Sequence, residues 1–295
     1  MPAGPPRFLY LGVPLGALLL ARAGLAPVGA ALAPLDLPGR RRARRLLGPR
    51  ALLLGRPRLE APAVQQALAS LRPTATLVYF WPRRIPEAVL SLAPAWGVHP
   101  SLLPAWRGPD PTYWALRSGA EETGVSLQRL EADYDVGAVA ARSSLAIRAE
   151  DDAWSLARRL DRPGYRLLLH AAGRLATGLP LPAWPQDPGA ATQAPFPRDE
   201  DLALDWKLPA RVLARHVRAA APEPGAHGAV ASRSFVVRRA HVAPRPAPAG
   251  LRPAEAYRNG RRWCVVCGSG ALVLDEVTDG QGQPLDLATL FARGP

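Results

Sequence analysis

Through residues 1–180, short apolar runs alternate with stretches long enough to be helices. Phe8–Leu11, Val28–Ala33, Ala51–Leu54, Thr76–Phe80, a short run ending at His99, Val125–Leu130 and Ala138–Ala141 all have strand length. Such strands, interleaved with helices, predict an open, mostly parallel α/β sheet covered on both faces. Helices are expected near Leu15–Ala23 and over Glu60–Leu71, where Val64, Leu68 and Leu71 share one face. Another should begin near Ala153, capped by Asp151 or Asp152, with Pro163 kinking or restarting it before Leu167–Leu175.

Between Gly178 and Pro197 the apolar period disappears and Pro, Gly, Ala and Gln dominate, as in a linker or a chain draped over a surface. Pro209 then suits the first turn of a helix that turns Val212, Leu213 and Val217 inward. Phe235–Ala240, Trp263–Cys267 and Ala271–Val277 read as short strands, with Gly268-Ser-Gly270 as a hairpin turn. The division expected is an N-terminal domain over 1–180, a linker over 181–200 and a small β-barrel domain over 201–295.

Composition changes this picture little. At 48% hydrophobic and 21% charged residues the chain is globular, not disordered. A net charge of +13 points to a polyanionic partner such as nucleic acid. Lys207 is the only lysine, however, and the arginine, proline and alanine bias suits a GC-rich genome, so arginine identity carries less information than the charge itself. Phe8–Ala21 imitates a signal-peptide core, but Gly12, Pro14 and Gly16 interrupt it, and a first buried strand is the better reading. No run has the length of a membrane-spanning helix. Cys264 and Cys267 lack the further ligands a zinc site needs and are expected to be two packed thiols; no metal is expected.

The chemistry is concentrated in two segments. Gly97-Val-His-Pro-Ser-Leu-Leu-Pro-Ala-Trp-Arg-Gly108 places His99 at a strand end, because the following Pro100 favours extended backbone. Open α/β sheets bind ligands at that edge. Later comes an acidic loop, Glu131-Ala-Asp-Tyr-Asp-Val-Gly137. Either residue alone has a plain structural reading, His99 as a buried turn residue and Asp135 as a turn residue before Gly137. No Gly-x-Gly-x-x-Gly follows the first strand, so a dinucleotide site lacks its phosphate cradle.

Together these segments resemble the active site of the folate-dependent formyltransferases, and Arg107–Trp114 and Glu122–Ser126 fall where that family carries similar runs. Asp205-Trp206 and Arg215–Gly225 resemble the start of the C-terminal domain in the branch of the family that formylates methionyl-tRNA. The resemblance implies a Rossmann-like catalytic domain followed by an OB-like barrel. It also implies a cytoplasmic, monomeric enzyme that uses 10-formyltetrahydrofolate as co-substrate and initiator tRNA as partner. His99 would be the acid/base and oxyanion-stabilising group, with Asp135 setting its charge and orientation. Trp81, Pro82, Arg83, Arg84 and Ile85, Ser101, Leu102, Leu103 and Pro104, and Glu131, Ala132, Asp133 and Tyr134 would form the folate site, largely through backbone groups. The charges of Arg83 and Arg84 would meet the folate's glutamate tail.

For the acceptor, the resemblance points to Arg40, Arg41 and Arg42, in a basic loop that starts just past Asp36-Leu-Pro-Gly39 and enters the tRNA acceptor end. Arg211, Arg215 and Arg218 would add a second phosphate-facing stripe; a solvated face is the competing reading of both. Asp110 would either select a cationic acceptor or cap a turn. The chain departs from the family at one place. The family motif begins Asn-x-His, and its asparagine donates to the oxyanion, whereas this chain has Gly97. Only its backbone N–H or a neighbour such as Ser101 is expected to substitute. Restoring the amide with Gly97→Asn should raise turnover if nothing has replaced it, and lower turnover if another group has; a slow wild type and a faster variant are expected. Two other readings remain open, transfer to a different amine such as an amino sugar, and a non-catalytic folate or RNA binder.

Overall fold

The structure is a computed structural model that describes residues 6–33 and 39–291. Asp36–Pro38, ahead of the arginine run, lies outside them. In chain order come β1 (Phe8–Gly12), α1 (Pro14–Arg22), β2 (Gly29–Leu32), α2 (Arg40–Leu47), β3 (Leu52–Gly55), α3 (Pro62–Ser70) and β4 (Ala75–Tyr79). These are followed by α4 (Glu87–Leu90), β5 (Ala95–His99), α5 (Pro111–Ser118), β6 (Glu122–Arg129), β7 (Val139–Ala146) and α6 (Ala153–Ala176). The chain divides into two compact units, one of Met1–Pro109, Thr123–Leu145 and Arg159–Gln193, the other of Asp110–Glu122, Ala146–Arg158 and Ala194–Pro295.

The first unit holds a seven-stranded sheet in the order β3-β2-β1-β4-β5-β6-β7. The β1 to β5 pairings are parallel, and β6 joins β5 antiparallel. All five residues of β1 are buried, because Phe8 and Tyr10 enter one apolar cluster while Leu9 and Leu11 enter the other. This two-sided burial is why the sequence shows continuous apolar runs and not alternation. Strand order reverses between β1 and β4, and the crevice at such a switch point is where open α/β sheets take ligands. Phe8–Gly12 is therefore a central strand.

Two local expectations need correction. The helix capped by Asp152, whose Oδ1 accepts from Ser155 N at 2.7 Å, runs unbroken through Pro163 to Ala176. Burial of Leu168, Ala171 and Ala172 holds the second half of α6 in place, and that packing outweighs the local cost of the proline. The basic run is a helix, α2, and not a loop. Its Ala43 is buried, and Arg44 donates to the carbonyls of Ala51 and Leu53 at 3.4 and 3.2 Å, which ties it to the edge of β3.

The second unit contains α7 (Asp199–Leu202), α8 (Ala210–Ala220), β8 (Ala226–Val230), β9 (Arg233–Val242), β10 (Ala256–Asn259), β11 (Arg262–Val266), β12 (Ala271–Thr278) and α9 (Leu287–Phe291). Its five-stranded sheet has the order β10-β11-β12-β9-β8 and is antiparallel at every pairing. β8 and β10 were not foreseen, since neither Ala226–Val230 nor Ala256–Asn259 holds a run of large apolar residues. Cys264 and Cys267 are free, buried thiols. On α8, His216 is buried with Nδ1 unpartnered among the described residues, and burial together with Arg117 and Arg215 lowers its pKa to about 4. In the unfolded chain the ring takes up a proton near pH 6.5. The folded state should thus keep its full stability above that pH and lose it as pH falls towards 4. His216→Leu should flatten the slope of urea midpoint against pH in this window; an unchanged slope would exclude His216 as its source.

Candidate active site

β5 delivers His99 to the carboxyl end of the sheet, 7% exposed, and β6 runs beside it with Ser126 opposite His99 and Gln128 opposite Gly97. Side chains directly opposite in an antiparallel pair share a face, so Gly97, His99, Ser126 and Gln128 lie together. The chain beyond β6 turns through Asp135, which takes a left-handed backbone (φ 55°) tolerated by aspartate. This turn brings Asp135 Oδ1 to 3.3 Å from His99 Nδ1. The expected pair is formed.

Two groups fix that carboxylate and a third holds the backbone of its turn. Gln128 Nε2 donates to Oδ1 at 2.6 Å and Gly108 N–H to Oδ2 at 3.0 Å. Gln186 Nε2 donates to the backbone carbonyls of Asp135 and Gly137 at 2.8 and 2.7 Å. Gln186 Oε1 in turn accepts from Nε and Nη2 of Arg107 at 3.1 and 2.9 Å. On the other side of the ring, His99 Nε2 lies 2.9 Å from the Trp106 carbonyl. A carbonyl and a carboxylate can only accept, so a neutral ring would turn one lone pair towards an acceptor. Both ring nitrogens thus face acceptors, with Nε2 donating to the Trp106 carbonyl and Nδ1 beside the Asp135 carboxylate.

The loops assigned to the co-substrate flank this pair. The 81–85 loop follows β4 and the 131–135 loop follows β6, and Arg84 Nη2 joins them by donating to the Ala132 carbonyl at 3.3 Å. Pro82, Arg83 and Arg84 are exposed, as are Glu131, Ala132, Asp133 and Tyr134, while Trp81 and Ile85 pack against the apolar core. Trp81 Nε1 is a buried donor without a partner among the described residues, which suits an acceptor atom of a bound molecule. Ser126 pins the 101–104 segment, donating to the Ser101 carbonyl at 2.7 Å and accepting from Leu103 N at 3.0 Å.

Neither substitute expected for the missing asparagine is free. Ser101 Oγ donates to the Ala105 carbonyl at 2.6 Å. Gly97 lies mid-strand between Val78 and Gln128, so its backbone N–H belongs to the sheet and does not project above it. A Cβ at Gly97 would meet Leu130 Cδ2 at 2.8 Å; the leucine occupies the space of the absent side chain. Asp110 caps α5 by accepting from Tyr113 N at 3.4 Å, and burial raises its pKa. Among the arginines, Arg40, Arg41, Arg42 and Arg211 are exposed. Arg215 is half-buried, and Arg218 donates to the Asp151 carbonyl at 2.8 Å, which narrows the α8 stripe. Among the described residues no cluster of His, Cys, Asp or Glu could hold a metal, and no helix is long and apolar enough to cross a membrane.

Family profiles cover most of the chain. The formyl transferase profile matches residues 41–172 and the formyl transferase C-terminal domain profile matches 198–294. The methionyl-tRNA formyltransferase of Anaeromyxobacter dehalogenans (strain 2CP-C) is 34% identical over 98% of this chain and 96% of its own length. This chain belongs to the formyl transferase family. The corresponding formyltransferase of Pseudomonas paraeruginosa is 35% identical over 80% of the chain and 75% of its own length. Solved structures share the fold. HypX from Aquifex aeolicus in complex with tetrahydrofolic acid has a TM-score of 0.68 at 20% identity and matches 97% of this chain, which spans 47% of HypX. An N-formyltransferase from Helicobacter canadensis with folinic acid and dTDP-3-aminofucose has a TM-score of 0.69 at 10% identity, covering 95% of this chain and 100% of its own.

Gln128, Gln186 and Ser126 were not singled out from the sequence. A lone glutamine inside the apolar run Val125–Leu130 was a usable signal for the first. Gln186 gave none, because it sits in a stretch without periodicity. Gln186→Ala would leave two carbonyls of the Asp135 turn without donors, an expected loss of about 1–3 kcal/mol in denaturant unfolding. Unchanged stability would mean that the Asp135 turn holds its shape without Gln186.

Proposed function

We propose that this formyltransferase moves a formyl group from 10-formyltetrahydrofolate to the amine of methionyl-tRNA, and that it does so in the cytoplasm. The His99–Asp135 pair carries the reading, since an imidazole N–H held at the strand end between a carboxylate and a carbonyl is suited to meeting developing negative charge and to giving up a proton. The Trp106 carbonyl already accepts from Nε2, and a formyl oxygen offers that N–H the same kind of acceptor.

The folate supplies an activated formyl group on its N10. The buried, unpartnered Trp81 Nε1 and the joined 81–85 and 131–135 loops fit a flat heterocycle with several acceptor atoms. Asp135, fixed by Gln128 and Gly108, keeps the His99 ring oriented. His99 then holds a proton at the reacting edge of the sheet, available to the nitrogen that loses the formyl group.

The tRNA acceptor is favoured by the net charge of +13 and by exposed arginines on α2, a surface a small sugar does not require. Full-length similarity to proteins named for that acceptor points the same way. With 10-formyltetrahydrofolate as donor, kcat/KM for charged initiator tRNA should exceed that for each member of a panel of amino sugars. A sugar used better than the tRNA would overturn the acceptor.

A further inference from the structure

Gly97 removes a side chain from the reacting face of β5, and the residue directly opposite it on β6 is Gln128. Gln128 is 2% exposed in a strand whose other inward positions are small or apolar, an unusual place for a carboxamide. Its Nε2 donates at 2.6 Å to the Asp135 oxygen that faces His99, which fixes the amide orientation, since a carboxylate cannot donate. Its Oε1 is then buried with no partner among the described residues. A buried acceptor without a donor is unfavourable, and such groups recur where a bound molecule completes the set.

We propose that Gln128 supplies the carboxamide that Gly97 lacks: its NH2 positions Asp135 against His99, and its free Oε1 receives an N–H of the amine acceptor. The inference rests on the formyl-transfer reading and goes beyond it by naming the residue that completes the site. It also explains Leu130. With the amide on β6, the space beside Gly97 is free to be filled by an apolar side chain, as the 2.8 Å approach shows. Gln128 is a positioning residue towards His99 and a binding residue towards the amine.

The test uses the full chain with Gln128→Leu, Gly97→Asn and the double variant, and Gln128→Met in case the leucine fails to fold. Gln128→Leu should lower kcat on the order of 10²-fold and raise KM for methionyl-tRNA, with tetrahydrofolate affinity by calorimetry unchanged. Gly97→Asn alone should lower turnover, because the new side chain meets Leu130 and a carboxamide already serves the site. In the Gln128→Leu background the same substitution should raise it. An effect of one sign in both backgrounds, or full activity in Gln128→Leu, overturns the proposal. A readout without substrate separates this result from failure of the function. The ring-nitrogen resonances of His99 should move in Gln128→Leu, as the carboxylate facing Nδ1 has lost a donor, and unmoved resonances also overturn it. If the wild type transfers no formyl to any amine while those resonances move, the acceptor role falls along with the formyl-transfer reading and the positioning role stands.

Discussion

His99→Ala should abolish measurable formyl transfer while leaving the fold intact. The ring is held at the end of β5 by the Trp106 carbonyl and Asp135, and neither contact builds the core. Acid–base and electrostatic contributions of this kind are each worth roughly 10²–10⁴ in rate. Asp135→Ala should cost as much by a different route, through the orientation of the imidazole. It also strips Gly108 N–H of its acceptor, so some stability should be lost with it. Transfer rates read beside thermal unfolding separate the two effects. A His99→Ala protein that is folded and still active would remove His99 from the chemistry.

The second large effect concerns tRNA. On α2, Arg44 is anchored to β3 and the Arg40 guanidinium lies against Gly55, leaving Arg41, Arg42 and Arg45 as the exposed charges best placed for phosphates. Each phosphate contact contributes somewhat under one unit to the slope of log affinity against log salt. Removing all three as alanines should therefore flatten that slope by about two units and weaken tRNA binding at low salt. Tetrahydrofolate affinity should not change. Unaltered tRNA binding would make α2 a solvated surface and shift the acceptor towards a small molecule.

Much of the sheet was legible because burial on both faces leaves continuous apolar runs such as Phe8–Leu11 and Thr76–Phe80, which few other arrangements produce. The α2 helix was not, since six arginines in a short stretch hide the one buried position, Ala43, that seats it. Pro163 misled for the opposite reason: a strong local signal yielded to packing along α6. In the site, His99 and Asp135 were readable because the runs around them, 97–108 and 131–137, together resemble the family's active site, while each residue alone reads as a turn residue. The residues that steady them were not, because Gln186 reaches the Asp135 turn from 51 positions away and Gln128 meets the Asp135 carboxylate only once the turn after β6 has folded back. Nor did the sequence show that Ser101 was already committed to Ala105, which only the loop geometry reveals.

The most direct measurement is of the product. Initiator tRNA charged with methionine is incubated with the chain and 10-formyltetrahydrofolate, and the amino acid released from the tRNA is identified by mass spectrometry. Formyl-methionine should accumulate with the wild type and stay at background with His99→Ala. Its absence with the wild type, or equal accumulation with both proteins, would contradict formyl transfer at this site.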